Sequence, residues 1–180
     1  MSITLPRGAN DIFLQPGDLH FGERETRIRT VLGSCVAMVF WHPLRQLGGM
    51  CHYMLPHRAD RQKGALDGRY ANEAVALLFG AMRRANTRPA DYHVKLVGGA
   101  NMFPRQGGGG LHHVGLRNVE AARDIVAANS LVCIGEHLAG AGHRNVIFEV
   151  WSGRVWIKHE SVRQPAKMAV KADDRLACAA

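Results

Sequence analysis

Apolar positions recur along this chain with two spacings. Across Arg69–Ala85 they fall at Ala71, Ala74, Val75, Leu78 and Met82, one face of a helix. Arg83 and Arg84 close that segment, where cations complement the helix dipole. Arg117–Ala128 carries Val119, Ala122 and Val126 on one face, with Asn118 placed to act as N-cap. Elsewhere the pattern is that of strands. Val36–Trp41 and Met50–Leu55 flank the turn-like stretch "HPLRQLGG". His93–Val97 alternates through Val94 and Leu96, and Leu131–Ile134 is a short apolar run. Val146, Phe148 and Val150 alternate, as do Val155 and Ile157, with Ser152-Gly153 expected as a two-residue hairpin turn. Residues 1–16 are turn-rich and read as an irregular entry. Residues 161–180 are rich in Ala and charge and poor in large apolar side chains, the composition of a loose tail or at most a short helix. The expectation is one domain over 1–160 with a loosely ordered tail over 161–180. Strands joined by short connections, largely antiparallel, together with two helices predict an α+β domain.

At 180 residues the chain is long enough to bury a core without covalent staples. Its N-terminus lacks a basic region followed by an apolar run, and no apolar run approaches the ~20 residues of a membrane span. Both observations predict a cytoplasmic protein with no membrane insertion. Cys35, Cys51, Cys133 and Cys178 are then expected as free thiols, and no pair has Cys-x-x-Cys spacing. The net charge of +8 suits nucleic acid, an anionic membrane surface or an acidic protein. Arg and Lys are scattered rather than blocked, and the three Trp residues do not cluster as a base-stacking platform. Nucleic acid is therefore not the expected partner.

The stretch with chemical content is "TVLGSCVAMVFWHPLRQLGGMCHYMLP", Thr30–Pro56. Cys35 follows Gly33-Ser34, where backbone N–H groups can converge as an oxyanion hole. His52 lies on the next strand and could take the thiol proton and return it to a leaving group. In an antiparallel pair the two share a face only if paired residue numbers sum to an odd value, or if Cys35 stands in the turn before its strand. Against catalysis stands the plainer reading: a buried free cysteine behaves as a small hydrophobe, and a lone strand histidine is usually packed or exposed without chemistry. Cys51 adjoins His52 and so faces the other way, as packing; Cys133 reads as core and Cys178 as idle. "VGGANMFPRQGGGG" (97–110) lacks P-loop and dinucleotide spacing and reads as a loop beside the site. His112-His113 and His137…His143 lack metal-ligand spacing. No metal or organic cofactor is expected.

The Thr30–Pro56 stretch resembles the signature of the CheD family, the chemoreceptor glutamine deamidases of bacterial chemotaxis. The resemblance continues in "PGDLHFGE" (16–23), "VGGANMF" (97–103), "GLRNVEAARDIV" (115–126) and "VIFEVWSGRVWIK" (146–158). It implies an α+β fold of layered, mixed strands flanked by helices, shared with deamidating toxins. It implies a cysteine nucleophile at Cys35, its histidine at His52, and a threonine that falls on Thr30, with Gly33 and Ser34 in the oxyanion turn. It further implies hydrolysis of receptor glutamine to glutamate without a cofactor, in some members methyl-ester hydrolysis, and binding to a CheC-type phosphatase. A non-enzymatic adaptor that binds receptors or such a phosphatase is the rival reading. The chain departs from the family at "EHLAGAGHRN", where His137 and Ala139 stand at positions at which the family tends to have Asp and Gly.

Overall fold

The computed structural model describes residues 8–58, 64–102 and 111–160. Three short strands come first: Asn10–Phe13 (β1), Leu19–Gly22 (β2) and Thr26–Leu32 (β3). A hairpin of Val36–His42 (β4) and Leu47–Tyr53 (β5) follows, then helix Ala71–Arg84 (α1) and strand His93–Gly98 (β6). Helix Leu111–Ala128 (α2) leads to Val132–Leu138 (β7), His143–Glu149 (β8) and Val155–Glu160 (β9).

These strands form two sheets, one ordered β1-β3-β8-β9 and one ordered β2-β5-β4-β6-β7. Pairing is antiparallel except between β1 and β3 and between β6 and β7. The fold is α+β with mixed sheets, as the pattern predicts.

Strict alternation along β4 and β5 sorts the side chains of the five-stranded sheet onto two faces. Val36, Met38, Phe40, Cys51 and Tyr53 face one way and pack with Ala71, Val75, Leu78 and Met82 of α1 and Val119 and Ala122 of α2. Ala37, Val39, Met50 and Val97 face the other way and pack against Ile28, Leu32, Val146 and Phe148 of the four-stranded sheet. The layers are therefore helices, sheet and sheet, with the five-stranded sheet in the middle. Burying each large apolar side chain in these seams contributes roughly 1.5–3 kcal/mol.

Several expectations need correction. Residues 1–16 are not wholly irregular, because β1 pairs in parallel with β3. Strand β3 itself was absent from the predicted elements, although Ile28, Thr30 and Leu32 alternate with Arg27, Arg29 and Val31. The β8–β9 connection is wider than a two-residue turn: Glu149 N–H donates to Arg154 C=O at 3.0 Å, and Gly153 takes φ +69°. Asn118 is no N-cap, since α2 begins at Leu111 and Asn118 is buried in its interior. Cys133 is partly buried on β7, packed at the margin of the helix-side core. Residues 103–110, the side chains of His112 and His113, and the 161–180 stretch with Cys178 lie outside the described residues.

Candidate active site

The register of the β4–β5 hairpin decides whether thiol and imidazole meet. Ala37 pairs with His52, so His52 projects with Ala37, Val39 and Met50 toward the second sheet. Cys35, directly before β4, follows the same alternation and packs against that same core. Cys35 and His52 are thus diagonal neighbours on one face, a relation in which backbones stand about 7–8 Å apart and side chains can still reach one another. Cys51 points to the opposite face, sealed in the helix-side core with its thiol pushed up to about 12 by burial.

The third group comes from the other sheet. Thr30 sits on the inward face of β3, 2% exposed, and its Oγ1 lies 2.7 Å from His52 Nδ1. The same hydroxyl donates to the Leu14 carbonyl at 2.9 Å. A threonine hydroxyl has one proton. With that proton given to Leu14, Oγ1 accepts from His52, which fixes the proton on Nδ1 and leaves a lone pair on Nε2. His52 Nε2 is buried and has no hydrogen-bond partner among the described residues. The histidine's backbone is also pinned: Gly17 N–H donates to its carbonyl at 2.7 Å, and its own N–H donates to Asp18 C=O at 2.9 Å.

Burial is the main influence on both reactive groups. It pulls His52 below its ordinary value of 6.5, opposed by its contact with the Leu14 carbonyl and by the Asp18 charge. It pushes the partly buried Cys35 thiol up. Both directions favour a resting thiol beside a neutral imidazole, so the thiol needs a base to become a nucleophile.

The Gly33–Cys35 turn is held by its carbonyls. Ala100 N–H donates to Gly33 at 2.9 Å, Asn118 Nδ2 to Ser34 at 3.0 Å, and Gly99 N–H to Cys35 at 2.7 Å. The described peptides are trans, so each following N–H points away from the carbonyl before it. The N–H groups of Ser34 and Cys35 therefore face away from these anchoring donors. The anchoring explains "VGGA". Gly98 and Gly99 take φ +120° and +69°, and a Cβ on Gly98 would lie 2.3 Å from Cys35 O. Only glycine permits that backbone and that approach.

Other candidates separate from this site. His137 Nδ1 accepts from Arg144 Nε at 2.8 Å, and His143 pairs with Glu160 at 3.2 Å. Arg144 also donates to the Ala139 carbonyl, and Ala139 takes φ +59°, a left-handed conformation that favours glycine. Among the described residues no group of three or more His, Cys, Asp or Glu side chains is placed to hold a metal ion. One contributor, the Leu14 carbonyl, has no sequence signal; Thr30, which the family resemblance named, could also have been placed inward from the alternation of "TRIRTVL".

The family model described as CheD chemotactic sensory transduction matches residues 54–159. The chain belongs to the CheD family. A relative from Dechloromonas aromatica, named probable chemoreceptor glutamine deamidase CheD 3, is 47% identical over 84% of this chain and 89% of its own. One from Pseudomonas syringae pv. tomato, named probable chemoreceptor glutamine deamidase CheD, is 45% identical over 91% of this chain and 98% of its own. A more distant CheD relative, from Leptospira interrogans and named probable chemoreceptor glutamine deamidase CheD 1, is 35% identical over 87% and 96% respectively. The matched family segment begins just after His52. The case for Cys35 and His52 in this CheD chain therefore stands on their geometry.

Proposed function

We propose that this chain is a protein-glutamine deamidase that converts glutamine side chains of chemoreceptors to glutamate, with Cys35 as nucleophile, His52 as base and acid, and Thr30 orienting the imidazole. The observation that carries the reading is the Thr30–His52 bond at 2.7 Å, which leaves His52 Nε2 unpartnered on the sheet face shared with Cys35. Membership of a family whose members are named for this activity supports the substrate.

The chemistry follows from the proton positions. His52 Nε2 takes the Cys35 proton as Sγ attacks the carboxamide carbon, and the carbonyl oxygen becomes an oxyanion. The N–H groups of Ser34 and Cys35 are the donors suited to hold it, a type of contact whose loss costs ~3–4 kcal/mol. Collapse breaks the C–N bond while the imidazolium protonates the leaving nitrogen, which departs as ammonia. Water then adds to the thioester, giving its proton to His52. The C–S bond breaks, the thiol is restored, and the product is glutamate. A methyl ester can follow the same path with methanol leaving. Thr30 accepts the Nδ1 proton's bond throughout, as the third group does in related triads.

The substrate glutamines would lie on the cytoplasmic part of a receptor, so the encounter belongs to the cytoplasm. The net charge of +8 favours an acidic partner and acts chiefly on encounter rate. No helix of the described residues is long and apolar enough to cross a membrane. A CheC-type phosphatase is the further partner the family resemblance suggests.

The test is peptide mass mapping of a purified receptor cytoplasmic fragment incubated with the protein or with Cys35→Ala. Amide-to-acid conversion at defined glutamines, seen only with the intact thiol, is the expected result. Receptor binding without any conversion would instead leave an adaptor.

A further inference from the structure

We propose that Asn118 is a positioning residue for this site: its side-chain amide clamps the two strand ends that carry Cys35 and His52 and so sets the thiol–imidazole geometry. The inference rests on the deamidase reading above and concerns how its reactive pair is held in place.

Asn118 lies within α2 and is 0% exposed. Asparagine is a poor residue for a helix interior, because its short polar side chain competes for backbone groups. Here both amide protons leave the helix. Nδ2 donates to Ser34 O at 3.0 Å and to Met54 O at 2.8 Å. Ser34 immediately precedes Cys35, and Met54 follows His52 and Tyr53 on the same strand end. The last paired residues of the β4–β5 ladder are Val36 and Tyr53. Asn118 thus bridges the two strands just where their own pairing stops. The third bond makes the clamp rigid: Tyr53 Oη donates to Asn118's main-chain carbonyl at 2.6 Å, locking this turn of α2 to β5.

Packing alone does not account for the residue. Its neighbours on the buried face, Val119 and Ala122, fill the core with apolar groups. Asn118 Oδ1 is buried with no partner among the described residues, a cost that an apolar side chain would avoid. The residue's distinguishing property is the pair of donors it offers to both catalytic segments at once. Misplacing reacting groups by about 1 Å can lower a rate about 10²-fold, so a clamp at this point has leverage on chemistry.

The experiment compares the wild-type chain with Asn118→Ala and Asn118→Asp; the aspartate keeps the shape but offers acceptors to both carbonyls. Cys35 alkylation by iodoacetamide is followed by peptide-resolved mass spectrometry from acid to alkaline pH, beside kcat and KM for receptor deamidation. Wild type should reach its reactivity plateau below neutrality, through His52. Both variants should lose that plateau, react only at alkaline pH, and lose about 10–100-fold in kcat with KM little changed. Val75→Ala in α1, 3% exposed in the helix-side core and outside the clamp's hydrogen bonds, supplies a core control that should lower the melting temperature and keep the plateau. Variants that melt earlier yet keep the wild-type pH profile and kcat overturn the proposal. If neither variant folds, Asn118 is a residue of stability alone and the proposal falls. A wild-type thiol without the plateau sinks the Cys35–His52 reading, and this proposal with it, which separates that failure from a failure of Asn118 alone.

Discussion

Cys51 lies on β5 and Cys35 directly before the adjacent β4 of the same sheet, yet they occupy different chemical worlds. Cys51 faces the helices, fully buried among Met38, Phe40 and Leu78, and its thiol is pushed to about 12. Its Sγ donates to the Met38 carbonyl at 3.9 Å. Cys35 faces the second sheet at the end of the seam, partly buried, in a turn whose carbonyls are all anchored. The helix-side seam is closed by apolar side chains, and the sheet-side seam ends in Thr30, His52 and Cys35. The difference teaches that a thiol becomes a candidate nucleophile through the face it is given and the base that shares that face.

The largest effect that would sharpen this contrast is Cys35→Ala. Loss of the nucleophile should reduce deamidation at least ~10³-fold while the melting temperature stays within a few degrees, read by mass mapping and thermal denaturation. Retained conversion would break the comparison outright. Next comes His52→Gln, with an expected loss of ~10²–10⁴-fold and disappearance of the acid limb of the rate profile. In the native chain that limb should lie below pH 6.5, because burial lowers His52. Thr30→Val keeps the shape but removes the acceptor of the Nδ1 proton and the donor to Leu14. It should cost about tenfold in kcat and ~1–3 kcal/mol in stability, because the buried Leu14 carbonyl and His52 Nδ1 both lose their hydroxyl partner. A variant as active as wild type would show that the 2.7 Å contact does not orient the ring.

Cys51→Ala is the counterpart on the other face. Activity should stay within about twofold, with ~1 kcal/mol of stability lost to a small cavity. An inactive but folded Cys51→Ala would overturn the division between the faces. The smallest effect is a pH dependence of stability. Burial lowers His52, and it also lowers His20 and His137 from 6.5. As pH falls through 6.5 the unfolded chain takes up protons that these folded histidines resist. The unfolded state then binds more protons, so stability drops with falling pH until the lower folded values are passed. Melting temperatures measured across this range should decline below pH 6.5, less steeply in His52→Gln. A flat curve would mean that the folded histidines protonate freely.

Much of this arrangement was legible in the residues. Period and alternation located both helices and six of the strands in the main, because burial of one face imposes those spacings whatever the partner. The separation of Cys51 from His52 followed from alternation alone. The first three strands were less legible: β1 and β2 are short, with no fully buried side chain to mark them, and in β3 Arg27 and Arg29 on either side of Ile28 dilute the apolar signal. Asn118 shows a further limit. Its residue type suggested a helix start, but a buried mid-helix asparagine can be understood only from the carbonyls it meets.

The sequence by itself determined the α+β class, the thiol and imidazole on consecutive strands, and the turn that precedes the thiol, because these depend on local spacing and backbone preference. The tertiary structure alone decided that Ala37 pairs with His52, that Thr30 reaches His52 from another sheet, and that Asn118 bridges Ser34 and Met54. Those contacts join segments far apart in the chain. They are fixed by which faces pack together and in what register, and no local pattern encodes that.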